Sequence, residues 1–268
     1  FGDVWGDEFG RKGIFERGIG HNHPAWLSVN IAQGSDGNKF QYVAGSMKYR
    51  LELLSLCNPT RIINGFAHND LTQTATISNW ATATTYVRGD SCVVNGQGIY
   101  ACLQGGTSGS VAPSGTGNAI ADNDVVWAFL TSSVTGETQR VMQQFSHMVE
   151  VNRQLRAAAP TALLYGFAAE PGVTLTSGGG NPDTEQAVLG GFGDATSRRG
   201  LWNARVRALD PLLGLAGYIE TNPYVEYQYP VQTSKWAHGG VANLLTNDGV
   251  HENSYGYSQS ALGVVIQL

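Results

Sequence analysis

Four short apolar runs punctuate the chain, at Phe40–Gly45, Arg61–Phe66, Ala162–Phe167 and Ala216–Glu220, each ending where polar residues or glycine begin. Runs of that length without polar alternation read as strands buried on both faces. Between them the period lengthens. From about Glu137 to Ala159 the apolar residues Val141, Phe145, Val149 and Leu155 fall on or near one helical face, and Pro160 stops the pattern. A second helix is predicted over about Leu201 to Leu213, and a third starts at Pro24 and carries Trp26, Leu27 and Ile31. A last one opens at Ser254 with cap-type polar residues and continues through Ala261 and Val264. Strands alternating with helices predict an α/β fold, with a parallel sheet covered on both faces and functional residues at the C-terminal ends of its strands.

One stretch breaks the alternation. Tyr86-Val-Arg-Gly89-Asp90, then Gly98-Ile-Tyr100-Ala-Cys102, a Gly/Ser/Pro-rich run from Gly105 to Gly117, and Asp124-Val-Val-Trp127 predict short strands and tight turns. Residues 78–133 are therefore expected to form a small inserted all-β module, leaving an α/β domain in two parts, 1–77 and 134–268. The spacing Tyr-x-x-Gly-Asp, Gly-x-x-Tyr-x-Cys and a final Trp resembles the small carbohydrate-binding modules of the chitin-binding type. That resemblance implies saccharide stacking on exposed Trp80, Tyr86 or Tyr100, because aromatic faces pack against sugar C–H groups. A module this small also needs a core, and at least two of the three are expected to supply it. Cys92 and Cys102 flank the turn Asn95-Gly-Gln-Gly98, which suits either a cross-strand disulfide or two buried thiols. Cys57, beside Asn58-Pro59, reads as a core residue and not as a nucleophile.

Composition narrows the function classes. Only 14% of the 268 residues are charged and the formal net charge is -5, so no basic face is offered to phosphates and nucleic acid is not an expected partner. No apolar run reaches the roughly 20 residues that cross a bilayer, so no membrane span is expected, and any export signal is absent or already removed. The 35 glycines, with abundant Ser, Thr and Asn, suit a protein outside the cell or on a virion surface.

The candidate chemistry lies in two places. Near the C-terminus, Asp248-Gly-Val-His251 sets an acid three residues before a histidine and just ahead of the last helix. Such a carboxylate can fix the imidazole tautomer and stabilise its cation while the other ring nitrogen faces a nucleophile. The alternative is an Asp that caps a turn beside a surface histidine. After the second apolar run comes Ile63-Asn-Gly65-Phe-Ala67-His68-Asn69-Asp70. Together with Gly45, these blocks resemble the SGNH (GDSL-type) hydrolase family. The resemblance implies a flavodoxin-like three-layer α/β/α sandwich and ester hydrolysis, often of acetyl groups on carbohydrate, without a cofactor. It makes Asn69 a side-chain donor to the oxyanion, Gly45 a backbone donor, His251 the general base and Asp248 its partner. Ala67 departs from the glycine usual in that block, a change of one methyl.

The nucleophile is where the pattern fails. The family carries Gly-Asp-Ser, whereas this chain has Gly2-Asp3-Val4 and Gly6-Asp7-Glu8. Neither copy has a hydroxyl, and the strand expected to lead into the block is missing ahead of Phe1. Three explanations stay open: the chain is a fragment whose first strand lies in a segment not included, with a modified serine between Asp3 and Val4 that the written sequence omits; natural loss in a protein that keeps its cleft for binding; or a deliberate replacement. His21-Asn-His23 lacks a carboxylate at metal-ligand spacing. Ser177–Pro182 and Gly190–Gly193 lack a phosphate-loop signature and read as a long loop near the cleft. His68, His147 and His238 read as structural. The expected partner is a carbohydrate or polysaccharide, with oligomerisation if the chain belongs to a phage tail spike. The alternative is a catalytically inactive carbohydrate-binding or receptor-recognition domain. A lipid or thioester hydrolase fits the polar insert less well.

Overall fold

The computed structural model describes residues 47–65, 70–71, 76–174, 186–187, 197–229, 235–237, 244–246 and 252–267. In chain order the elements are α1 (Met47–Cys57), β1 (Arg61–Asn64), β2 (Thr85–Tyr86), β3 (Ser91–Val94), β4 (Gly98–Gln104), β5 (Gly106–Thr107), β6 (Ile120–Asp122), β7 (Val125–Thr131), α2 (Gly136–Ala158), β8 (Leu163–Phe167), β9 (Val173–Thr174), β10 (Gln186–Ala187), α3 (Arg198–Arg207), a 3-10 turn (Pro211–Leu213), β11 (Gly217–Ile219), α4 (Asn222–Val225) and α5 (Ser254–Gln267). The apolar run at 40–45 and the helix expected from Pro24 lie outside the described residues.

The fold is mixed α/β. Its parallel sheet has the order β1-β8-β11, with Arg61 opposite Leu163 and Gly217 opposite Tyr165. All three strands come from apolar runs legible in the sequence, and a helix precedes both β1 and β8. Helix α2 begins at Thr135, whose side chain accepts from the Thr138 N–H, and carries Glu137 in its first turn and Arg156 in its last. Both charges complement the helix dipole. Its buried positions cover more than one stripe because it has two partners. Val141, Met142, Phe145 and Met148 join a cluster with Ile99, Ala101 and Leu130 of the antiparallel sheet, while Val151 and Leu155 pack with Leu54, Ile62 and Leu164.

Helix α3 is shorter than its pattern predicts. It starts at a Ser197 cap and ends at Arg207; Leu209 then takes a positive φ of 49°, and the Asp210 side chain caps the turn at Pro211–Leu213. Proline disfavours the α conformation in the residue before it, so the helix cannot continue through Asp210. Cys57 also departs from expectation. It stands exposed at the last residue of α1, where the chain turns outward at Asn58 with a φ of 43°.

Strands β3, β4, β7 and β6 form an antiparallel sheet in that order, with β2 and β5 paired beside it. Alternate residues of β4 face opposite ways. Ile99 and Ala101 point to the α2 cluster, whereas Tyr100 and Cys102 enter a second cluster with Tyr86, Cys92, Val94, Val125 and Trp127. The sheet is thus buried on both sides, one side against the α/β layers. Ser146 of α2 donates to the Asp90 carbonyl at 2.9 Å, and Arg205 of α3 donates to the Leu130 carbonyl, which ties the two parts together.

Candidate functional site

The richest polar chemistry among the described residues lies where the parallel strands end. β8 runs on through Ala168, Ala169 and Glu170, and the Ala168 N–H donates to the Ile219 carbonyl of β11 at 3.0 Å. Backbone groups just past a strand need partners if they are buried. For Ala169 these are side chains of the neighbouring helices. Asn203 Oδ1 accepts its N–H at 2.7 Å, while Arg199 Nε (2.7 Å), Asn203 Nδ2 (3.1 Å) and Asn222 Nδ2 (3.4 Å) donate to its carbonyl. Arg199 also grips Glu226 through two bonds, of 2.5 and 2.9 Å, and donates to Asn222 Oδ1 at 2.7 Å. Arg199 and Glu226 are almost wholly buried, so their charges are matched inside the protein and not by water. On the far side, Glu220 accepts from Arg207 Nε at 2.5 Å and from the Asn222 side chain.

Helix α5 closes onto this edge. The hydroxyl of Ser260 lies 3.0 Å from Glu170 Oε1 and 2.5 Å from Glu252 Oε1, and the Thr221 hydroxyl donates to Glu170 Oε1 at 2.5 Å. Two glycines allow the close approach. A Cβ on Gly256 would stand 2.3 Å from the Leu245 carbonyl, and one on Gly263 would stand 2.9 Å from the Glu220 carbonyl. Burial pushes the Glu170 carboxyl up to about 7, against the pull of Thr221, Ser260 and the Arg199 cation. Burial also raises Glu252 well above the usual carboxylate range, with the charge of Glu170 adding to the rise.

The catalytic residues expected from the sequence, Gly2, Asp3, Val4, Gly45, Asn69, Asp248 and His251, lie outside the described residues, as do His21, His23, His68, His238 and the glycine-rich loops. Of those catalytic residues, two have a described neighbour in the chain, Asn69 and His251. Asp70, after Asn69, is buried. Glu252, after His251, forms an antiparallel bridge with Thr246, and the Asn253 N–H donates to the Leu245 carbonyl at 2.8 Å. His147 is buried in α2 with Nδ1 3.1 Å from Gln144 Oε1, a structural position.

In the antiparallel sheet two of the three sugar-stacking candidates are corrected. Tyr86 is 8% and Tyr100 1% exposed, which removes both as platforms. Tyr86 sits edge-on to Trp127 at 4.8 Å and takes the Ala81 N–H on its hydroxyl, while Tyr100 donates to the Gly115 carbonyl at 3.0 Å. Trp80 remains half-buried, its Nε1 donating to Asp122 Oδ2 at 2.9 Å. Asp122 is the residue the sequence did not flag: the same Oδ2 also takes Trp127 Nε1 at 3.0 Å, and Oδ1 takes the Gly109 N–H at 2.6 Å. Cys92 and Cys102 are free, buried thiols. Cys92 pairs across the ladder with Tyr100, which sets Cys102 two positions away, and diagonal neighbours are too far apart to bridge without backbone movement.

A cleft of about 550 Å³ opens between Arg88 and Leu103 of the inserted segment and Arg153, Arg156 and Pro160 of the α2 end. It lies where the chain enters β8, opposite the Glu170 end. No group of three or more His, Cys, Asp or Glu among the described residues is arranged to hold a metal ion. No helix among them is long and apolar enough to cross a membrane. The chain matches no protein-family model and no curated protein.

Proposed function

We propose that the protein is a serine esterase that removes acyl groups, O-acetyl foremost, from a carbohydrate or polysaccharide, on a flavodoxin-like SGNH hydrolase fold. The observation that carries the reading is the direction of the sheet. The Gly65–Asp70 block follows the C-terminal end of β1, and the Asp248–His251 block leads into Glu252, whose partner Ser260 reaches Glu170 just past the end of β8. Ligand chemistry in α/β sheets gathers at that edge. The order β1-β8-β11, each strand parallel to the next, suits the outer half of a doubly wound sheet.

In this reading His251 takes the proton of a serine beside Asp3, and Asp248 orients the imidazole. The alkoxide attacks the ester carbonyl, Asn69 and the Gly45 amide stabilise the oxyanion, and the sugar hydroxyl leaves with the proton held by His251. Water, deprotonated by His251, then cleaves the acyl-enzyme, releasing the acid and returning the proton to the serine. Each oxyanion donor is worth roughly 3–4 kcal/mol of barrier in such sites. The inserted module holds the glycan, with Trp80 the one stacking candidate its packing leaves available.

A second reading is favoured by one observation, the absence of a serine from Gly2-Asp3-Val4 and Gly6-Asp7-Glu8. It makes the protein an inactive glycan-recognition domain outside the cell or on a virion surface. Hydrolysis of a chromogenic acetyl ester by the intact chain separates the two. The esterase reading expects turnover that His251→Ala abolishes, with mass spectrometry finding a serine after Asp3. An unmodified chain that binds glycan and never releases acetate overturns it.

A further inference from the structure

Hydrogen-bond arithmetic at Ser260 decides a protonation state. Its hydroxyl carries one hydrogen, yet it contacts a carboxylate oxygen of Glu170 and one of Glu252, at 3.0 and 2.5 Å. With both acids ionised, one contact would press a hydroxyl lone pair against a charged oxygen in a site that water does not reach. One acid must therefore donate. Glu170 is the better anion: its Oε1 already accepts from Thr221, and the Arg199 cation lies close enough to favour its charge. Among the described residues, Glu252 has no cation beside it and its buried Oε2 has no hydrogen-bond partner. A carbonyl oxygen tolerates that far better than a carboxylate oxygen.

We propose that Glu252 and Glu170 share one proton through Ser260, and that this clasp holds the Thr246–Glu252 bridge, making Glu252 a positioning residue for the base assigned to the adjoining His251. The positioning part rests on the esterase reading; the clasp does not. The relay runs from the Glu252 acid to Ser260 Oγ, and from the Ser260 hydroxyl to Glu170 Oε1, with Thr221 closing the other side. Glu252 follows His251 in the chain and bridges to Thr246, so whatever holds Glu252 also holds Thr246. Among the described residues, the groups facing the pair are Arg199 of α3, Glu220 and Thr221 after β11, and Ser260 on α5; Glu226 and Arg207 lie behind them, neutralised by Arg199 and Glu220. A raised acid pKa means that folding takes up the proton. Stability from the clasp is full below the unfolded carboxylate value, about 4.3, and is lost as pH rises through the raised folded value of the pair.

The test compares the intact wild-type chain with Glu252→Gln, Glu252→Ala and Ser260→Ala. Glutamine keeps the shape of the neutral acid and can donate to Ser260 but cannot ionise. Hydrogen exchange of the Asn253 amide, whose N–H is bonded to the Leu245 carbonyl, reads the clasp without reference to activity. Wild type is expected to lose protection, corrected for intrinsic rate, by roughly tenfold or more between about pH 5 and about pH 9, while Glu252→Gln holds it and Glu252→Ala and Ser260→Ala lack it throughout. Equal pH dependence in wild type and Glu252→Gln overturns the shared proton. Acetyl-ester hydrolysis then reads positioning: Glu252→Gln is expected to keep its rate at alkaline pH where wild type falls. A wild-type chain with the exchange signature and no hydrolysis leaves the clasp standing and overturns the assigned base, and with it the positioning role.

Discussion

Thr246 and Glu252 face each other across an antiparallel bridge, and the five residues between them include both Asp248 and His251. The bridge rests on the first turn of α5, where Gly256 brings the helix against the Leu245 carbonyl. A Cβ at 2.3 Å from that carbonyl cannot be accommodated by rotating a side chain, because the obstacle is backbone. Gly256→Ala is expected to lower stability by about 1–3 kcal/mol, as overpacking does elsewhere. If the connection carries the catalytic pair, acetyl-ester hydrolysis should fall further than unfolding alone explains. Urea denaturation run beside the activity assay checks both, and unchanged values in each would mean that α5 does not set this approach.

The Arg199 and Glu226 pair lies deeper. Removing one partner leaves the other charge buried, so Arg199→Met or Glu226→Leu alone should cost about 3–5 kcal/mol. The double variant removes both charges and should recover part of that loss in chemical denaturation. Recovery stops short of wild type, because Arg199 also donates to the Ala169 carbonyl and to Asn222, and those acceptors lose a donor in either background. Full additivity of the two single losses would show that the ion pair contributes nothing as a pair.

What the chain reveals in one dimension is a matter of range. The strands at 61–64, 163–167 and 217–219 are legible because their apolar runs are short and local, although each buries only part of its residues, short of the two-faced burial expected, and α2 because its period and its Pro160 stop are local. Helix α1 and the exposure of Cys57 were not, since nothing near Cys57 states which way the chain turns. The candidate site is harder still. Glu170, Arg199, Glu226, Glu252 and Ser260 are scattered over some ninety residues of ordinary polar sequence, and only the tertiary fold makes them neighbours. Motifs can point to Asp248 and His251; no motif points to the residues that anchor the ends of their connection.

Asp122 offers a cleaner test of the inserted sheet. It accepts from the indoles of Trp80 and Trp127 and from the Gly109 amide, so one carboxylate satisfies three donors. Bonds to a charged acceptor are worth about 1.5–3 kcal/mol each before shared losses, and Trp127 is fully buried. Asp122→Ala is expected to cost about 2–4 kcal/mol and to release Trp80 from its fixed edge, whereas Asp122→Asn should lose less because one oxygen still accepts. Tryptophan fluorescence during urea unfolding measures the first, and glycan binding by the folded variant measures the second. Intact binding after Asp122→Ala would remove Trp80 from the saccharide surface.

The three cysteines should divide by access. Burial pushes the Cys102 thiol up to about 12 and raises Cys92 further, with each thiol surrounded by the packed face of β4 and β7, while Cys57 stands exposed at the end of α1. Only the thiolate reacts with an alkylating agent, so at about pH 8 the native chain should take one label, at Cys57, and the denatured chain three. The sign follows from the raised values. These thiols stay neutral in the fold where the unfolded chain ionises, so their contribution to stability is complete below the unfolded thiol value, about 8.5, and disappears as pH climbs toward about 12. Mass spectrometry of peptides after timed alkylation reads the pattern. Labelling of Cys92 or Cys102 as fast as Cys57 in the native chain would show that the sheet opens readily, against the two-sided burial of β4.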